Sequence, residues 1–171
     1  MTLPVAPEID TRERDRLRAH AEGASWRVLV IDDNPTAREV LEHLGQSLGW
    51  RVDMADSGEQ AIALLEQRIA QGVQYQAIFV DWSMPGMDGW QTSQHIRALL
   101  AAPGSTGDGG HSPVVVMVTA HSREILSQRS ADDQSLLDGF LVKPVTASML
   151  FDAVVDARRG ADLPHPSRGG V

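Results

Sequence analysis

From Arg27 onward, short apolar runs rich in branched residues alternate with longer stretches in which apolar residues return every third or fourth position. The runs are Val28-Leu-Val-Ile31, Val52-Asp-Met54, Ala77-Ile-Phe-Val80, Val114-Val-Val-Met-Val118 and Phe140-Leu-Val142. Each has the length of a strand, and four are continuously apolar, the pattern of a strand covered on both faces of a parallel sheet. The second is mixed, which marks an edge.

The stretches between them carry single apolar stripes: Ala37, Val40, Leu41, Leu44 and Leu48 in the first, Ile96, Leu99 and Leu100 at the end of the third, and Ala147, Leu150, Phe151 and Val154 in the last. Their starts carry caps, with Asn34 before Pro35, Ser57 paired with Gln60, Asp88 paired with Gln91, and Thr146 before the last segment. The fourth segment, near Ser122 to Ala131, offers only Ile125 and Leu126 as anchors, so it is expected to be loosely held. Five strand–helix repeats predict an α/β fold, a flavodoxin-like (βα)5 doubly wound parallel five-stranded sheet in the order 2-1-3-4-5.

The 171 residues suit one domain with ragged ends. Residues 1–25 read as a linker or N-terminal arm, 26–157 as the domain, 101–112 as a flexible insertion and 158–171 as a disordered tail. The insertion joins the third helix to the fourth strand, so it is expected at the far end of the sheet from the chemistry described next, with no catalytic role. A net charge of -8 argues against nucleic-acid partners and anionic membranes, which attract basic surfaces. Cysteine is absent, which removes thiol catalysis and zinc thiolates and fits a cytoplasmic location. No apolar run approaches the roughly 20 residues needed to span a bilayer, and the first residues lack the pattern of a signal peptide, so no direct membrane contact is expected.

Ligands of such sheets bind at the carboxyl ends of the strands. There the first strand ends in Asp32-Asp33, the third in Asp81, the fourth in Thr119 and the fifth in Lys143-Pro144. Singly, each has a bland reading as a cap, turn or loop residue. Together they bring three carboxylates, a hydroxyl and an ammonium to one edge. Clustered carboxylates repel unless a hard divalent cation neutralises them, and oxygen-only ligation suits Mg²⁺. One carboxylate could then attack a phosphoryl donor while Lys143 absorbs charge on the phosphoryl oxygens and Thr119 hydrogen-bonds the new group.

Val28-Leu-Val-Ile-Asp-Asp-Asn-Pro35, Val80-Asp-Trp-Ser-Met-Pro-Gly-Met-Asp-Gly89, Val118-Thr-Ala120 and Phe140-Leu-Val-Lys-Pro144, in this order and spacing, resemble response regulator receiver domains of two-component signalling. The resemblance covers roughly Trp26 to Ala157, and its wording is most similar to the receiver modules of hybrid sensor histidine kinases. It implies Asp81 as phosphoacceptor, Asp33 and Asp81 as direct Mg²⁺ ligands, Asp32 acting largely through water, and the backbone carbonyl of Ser83 completing the set. It also implies that Lys143 contacts the phosphoryl group, that Lys143–Pro144 is cis, and that Thr119 moves after phosphorylation and lets Phe140 turn inward. The switching face would be the fourth helix, fifth strand and fifth helix, which would also serve a homodimer. Phe140 lacks the hydroxyl of the Tyr often found there. Ser83 and His121 occupy positions that influence phosphoryl lifetime in this family. Implied partners are a histidine kinase or a histidine phosphotransfer protein, which donate from phosphohistidine; His43 and His95 are expected to be solvent-facing helix residues.

Three other classes are separated by particular residues. A haloacid dehalogenase-type phosphatase needs a second Asp two residues after the first, where Ser83 stands. A pseudo-receiver interaction module would have lost residues of the site, whereas every one is present. A dinucleotide or flavin carrier would need a Gly-rich turn after the first strand, and none follows. No free-standing substrate turnover is expected beyond the chain's own aspartyl phosphorylation and dephosphorylation; a parent chain would be a histidine kinase. With only linker-like flanks, the module is expected to be excised or to stand alone.

Overall fold

The computed structural model describes residues 26–101, 113–120 and 137–162, with side chains to residue 158. Five strands pair in parallel: β1 (Arg27–Ile31), β2 (Arg51–Ala55), β3 (Ala77–Asp81), β4 (Val114–Thr119) and β5 (Gly139–Val142), in the order β2-β1-β3-β4-β5. This is the predicted doubly wound order. The described helices are α1 (Pro35–Ser47), α2 (Gly58–Ala70), α3 (Gly89–Ala101) and α4 (Ala147–Asp162). The predicted helix near Ser122 to Ala131, His121, and residues 102–112 of the insertion lie outside the described residues.

Two cores flank the sheet because successive strand residues face opposite ways. Val28, Val30, Phe79, Val116 and Val118 pack with Leu41 of α1 and Leu150, Phe151 and Val154 of α4. Leu29, Ile31, Ile78, Val80 and Val115 pack with Leu65 of α2 and Ile96 and Leu100 of α3. The mixed β2 is an edge, as its pattern suggested. β5 is the other edge and is only half-buried despite its apolar sequence; a strand with one neighbour stays partly open whatever its side chains.

The caps form as read, with one difference. Asn34 accepts from the amides of Thr36 and Ala37, and Thr146 from Met149. Asp88 and Gln91 bond each other reciprocally. Ser57 accepts from the Gln60 amide, but the Gln60 side chain bonds back to the amide of Asp56 rather than of Ser57.

Two expectations are corrected. Val40 is half exposed, because the buried line of α1 centres on Leu41 and Gly45, roughly a third of a turn from it. The last helix runs to Asp162, so Arg158, assigned to the tail, is helical. Its guanidinium lies 5.1 Å from the centroid of Trp26, which itself stacks on Phe151 at 6.2 Å. No described helix is long and apolar enough to cross a membrane.

Candidate functional site: a carboxylate cluster at the strand ends

Strand register brings the site together. Ile31 pairs with Val80, so Asp32 and Asp81 come one step later on neighbouring strands. Asp81 pairs with Val118 and Val142 with Thr119, which sets Thr119 and Lys143 one step beyond those pairs. The order reverses at this point, since β1 leads to β2 on one side and β3 to β4 on the other. A crevice at the strand ends results.

Asp32 is 1% exposed, Asp81 7% and Thr119 2%. The Asp32 amide donates to the Ala55 carbonyl at 3.2 Å, extending the β1–β2 pairing past the strand. Its Oδ1 accepts from the Asn34 amide at 2.9 Å, and its carbonyl accepts from Arg38 Nη1 at 2.7 Å. Its other oxygen, Oδ2, accepts from Lys143 Nζ at 3.2 Å, and the same ammonium reaches Asp81 Oδ1 at 3.2 Å. The Lys143 amide in turn donates to the Thr119 carbonyl at 2.7 Å, and the Lys143–Pro144 bond is cis. Asp33 is exposed at the rim, and Asp32, Asp33 and Asp81 each offer an oxygen within 4.8 Å of the others.

Electrostatics follow from this geometry. Burial first, and then the Asp32 carboxylate, push Asp81 above the ordinary aspartate range; Lys143 opposes but does not cancel them. Burial pulls Lys143 down, yet Asp81 and Asp32 outweigh it and the net direction is up, so the ammonium stays charged. One ammonium against three carboxylates leaves two formal negative charges uncompensated. An all-oxygen donor set with that deficit, open on its Asp33 side, fits a hard divalent cation such as Mg²⁺.

Ser83 lies exposed in the loop after β3, two residues from Asp81. That loop is pinned at both ends: Trp82 N donates to Val118 O at 3.0 Å, and Gly89 N donates to Trp82 O at 3.0 Å. Trp82 and Trp90 pack with ring centroids 6.5 Å apart. Phe140 is half-buried and pairs in register with Met117, two residues before Thr119 on β4. It lines a 370 Å³ cavity between β5 and α4, with Met149 and Asp152, rather than the carboxylate cluster. His43 is exposed and lies 3.7 Å from Glu39, and His95 is exposed on α3.

Sequence reasoning missed Arg38 and Gly89. Asn34 is legible as a helix cap, and its amide hydrogen bond to Asp32 comes with the turn. Arg38 looks like any helix-surface arginine until α1 is docked on the sheet.

A family model described as the response regulator receiver domain matches residues 28–155. The virulence sensor protein BvgS of Bordetella bronchiseptica is 33% identical over 142 residues, covering 83% of this chain and 11% of that protein. Hybrid signal transduction histidine kinase A of Dictyostelium discoideum is 27% identical over 153 residues, 90% of this chain and 7% of that protein. The chain thus spans a small fraction of these relatives' length. Among solved structures, the response regulator protein TrrA of Thermotoga maritima in complex with Mg²⁺-BeF is 26% identical, with a TM-score of 0.56 over 77% of this chain and 98% of that one. The whole carboxylate cluster falls within the matched span, and the chain belongs to the response regulator receiver domain family.

Proposed function

We propose that this chain is a phosphorylation-dependent signalling switch in which Asp81 takes a phosphoryl group from a phosphohistidine donor, with Mg²⁺ held by Asp32, Asp33, Asp81 and the Ser83 carbonyl. The observation that carries this reading is the Lys143 ammonium bridging Asp32 and Asp81 at 3.2 Å each, beside carboxylate oxygens gathered within 4.8 Å. An Asp81 oxygen attacks phosphorus, the phosphorus–nitrogen bond breaks, and the imidazole leaves with the bonding electron pair, to be protonated from solvent. Lys143 neutralises charge on the phosphoryl oxygens, and the Thr119 hydroxyl donates to them once they are fixed on Asp81. Bound Mg²⁺ supplies charge neutralisation for the same oxygens.

The name of the Dictyostelium relative, a hybrid signal transduction histidine kinase, and the short span matched within it support a receiver module of a hybrid histidine kinase; its partner would then be a histidine kinase or histidine phosphotransfer protein, in the cytoplasm. Phe140, lining the cavity between β5 and α4, is the candidate reporter of phosphorylation, and a homodimer would use that face.

Intact mass spectrometry tests the reading. Wild type with Mg²⁺ and acetyl phosphate, or with a phosphorylated histidine protein, gains one phosphoryl group, and Asp81→Asn gains none. No adduct with either donor, or an adduct kept in Asp81→Asn, sinks the mechanism.

A further inference from the structure

Gly89 is the first residue of α3 and is buried. Its backbone needs no glycine, since the positive-φ glycines among the described residues are Gly49, Gly72 and Gly86. Nor does helix propensity ask for glycine, which is about 1 kcal/mol worse than alanine in a helix interior. What glycine supplies is space. An ideal Cβ at this position would lie inside van der Waals contact of the Asp81 carbonyl oxygen, 2.9 Å from Trp82 Cα and 3.0 Å from the Asp81 carbonyl carbon. All three atoms are backbone, so no side-chain rotation relieves the overlap.

We infer that Gly89 is a positioning residue for phosphoryl acceptance: the bare Cα of the α3 start is the stop against which the Asp81–Trp82 peptide rests, and this contact sets where the acceptor carboxylate stands relative to Asp32 and Lys143. The opposite side of that peptide is held by β4, through Trp82 N to Val118 O at 3.0 Å. Gly89 N closes the clamp by donating to Trp82 O at 3.0 Å. The start of α3 is itself fixed, because Asp88 and Gln91 cap it reciprocally and Thr92 Oγ1 bonds the Asp88 carbonyl at 2.7 Å. A methyl group at Gly89 must therefore displace the acceptor's backbone or lift the capped turn. Either movement shifts Asp81 and the loop carrying Ser83 relative to β1.

The inference rests on the proposed role of Asp81, and the test separates the two. Gly89→Ala is compared with Val154→Ala, a buried substitution on α4 in the opposite core that destabilises without touching the acceptor loop. Urea unfolding, Mg²⁺ affinity by calorimetry, and the rate of phosphorylation at saturating Mg²⁺ are measured for both and for wild type. Gly89→Ala is expected to lose about tenfold or more in Mg²⁺ affinity and on the order of 100-fold in rate, as small displacements of reacting groups do. Val154→Ala keeps both near wild type. A folded Gly89→Ala with wild-type Mg²⁺ affinity, or a Val154→Ala that loses as much, overturns the inference. If Gly89→Ala does not fold, exchange of the wild-type Gly89 amide decides: slowing on Mg²⁺ binding supports the clamp, and unchanged exchange overturns it. A wild type that takes no phosphoryl group refutes the reading of Asp81, while the Mg²⁺ affinities still judge Gly89.

Discussion

Asp81 is an uncomfortable charge, buried and facing Asp32, with Lys143 as its one cationic neighbour among the hydrogen bonds described, and the proposed phosphoryl acceptance draws on that environment. A second buried ionisable group lies just before β3 and answers a different need. Tyr75 Oη donates to Asp53 Oδ2 at 2.5 Å, while Arg27 and Arg68 approach the same carboxylate at 3.5 and 3.6 Å. Burial first, then the hydrogen bond to Asp53, push the phenol well above its ordinary 10.0. The folded state therefore holds this proton more tightly than the unfolded chain. Its contribution is complete below about pH 10 and is lost as pH rises beyond that value. Tyr75→Phe is expected to cost about 2 kcal/mol at neutral pH, the worth of a hydrogen bond to a charged acceptor. Urea titrations from pH 8 upward should show the wild-type advantage shrinking above about pH 10; a constant gap would refute the assignment.

At the scale of elements, packing overrules propensity in α1. Gly45 is buried in the last turn of that helix, and a Cβ there would come 2.6 Å from Val52 Cγ2 on β2. In an exposed helix, Gly→Ala stabilises by about 1 kcal/mol. Here Val52 is branched and cannot swing away, so α1 must lift from the sheet edge. Gly45→Ala is expected to destabilise by about 1–2 kcal/mol. Adding Val52→Ala should recover part of that loss in a double-mutant cycle read by urea unfolding. A stabilised single variant would show that α1 is not seated against β2 this closely. The same seating carries Arg38 to the Asp32 carbonyl, so the helix edge and the site are connected.

For the molecule as a whole, the carboxylate cluster sets stability against function. Removing one buried charge should make metal-free Asp81→Asn more stable than wild type by on the order of 1 kcal/mol. Mg²⁺ is expected to reverse the order, because a ligand held by the folded state adds about 2.7 kcal/mol at 100 times its Kd. Thermal or urea unfolding with MgCl₂, against NaCl of equal ionic strength, checks both statements. Equal stabilisation of wild type and Asp81→Asn by Mg²⁺ would place the cation elsewhere.

Much of this was legible in the chain. Continuous apolar runs fixed the number of strands, because burial on both faces leaves no room for polar residues, and the caps at Asn34, Asp88 and Thr146 marked helix starts through local hydrogen bonds. The positions of Asp32, Asp33, Asp81, Thr119 and Lys143 at strand ends were equally local, and parallel pairing is what turns strand ends into neighbours. Other features needed the folded chain. The exposure of Val40, the half-open β5, the helical Arg158 over Trp26 and the Arg38 contact depend on how helices rotate and dock, which periodicity constrains only to within a fraction of a turn. Gly89 shows the difference most sharply. As a letter it is one more glycine after a turn, and only the approach of the Asp81 backbone to its Cα, a contact between segments that pattern cannot measure, gives it a task.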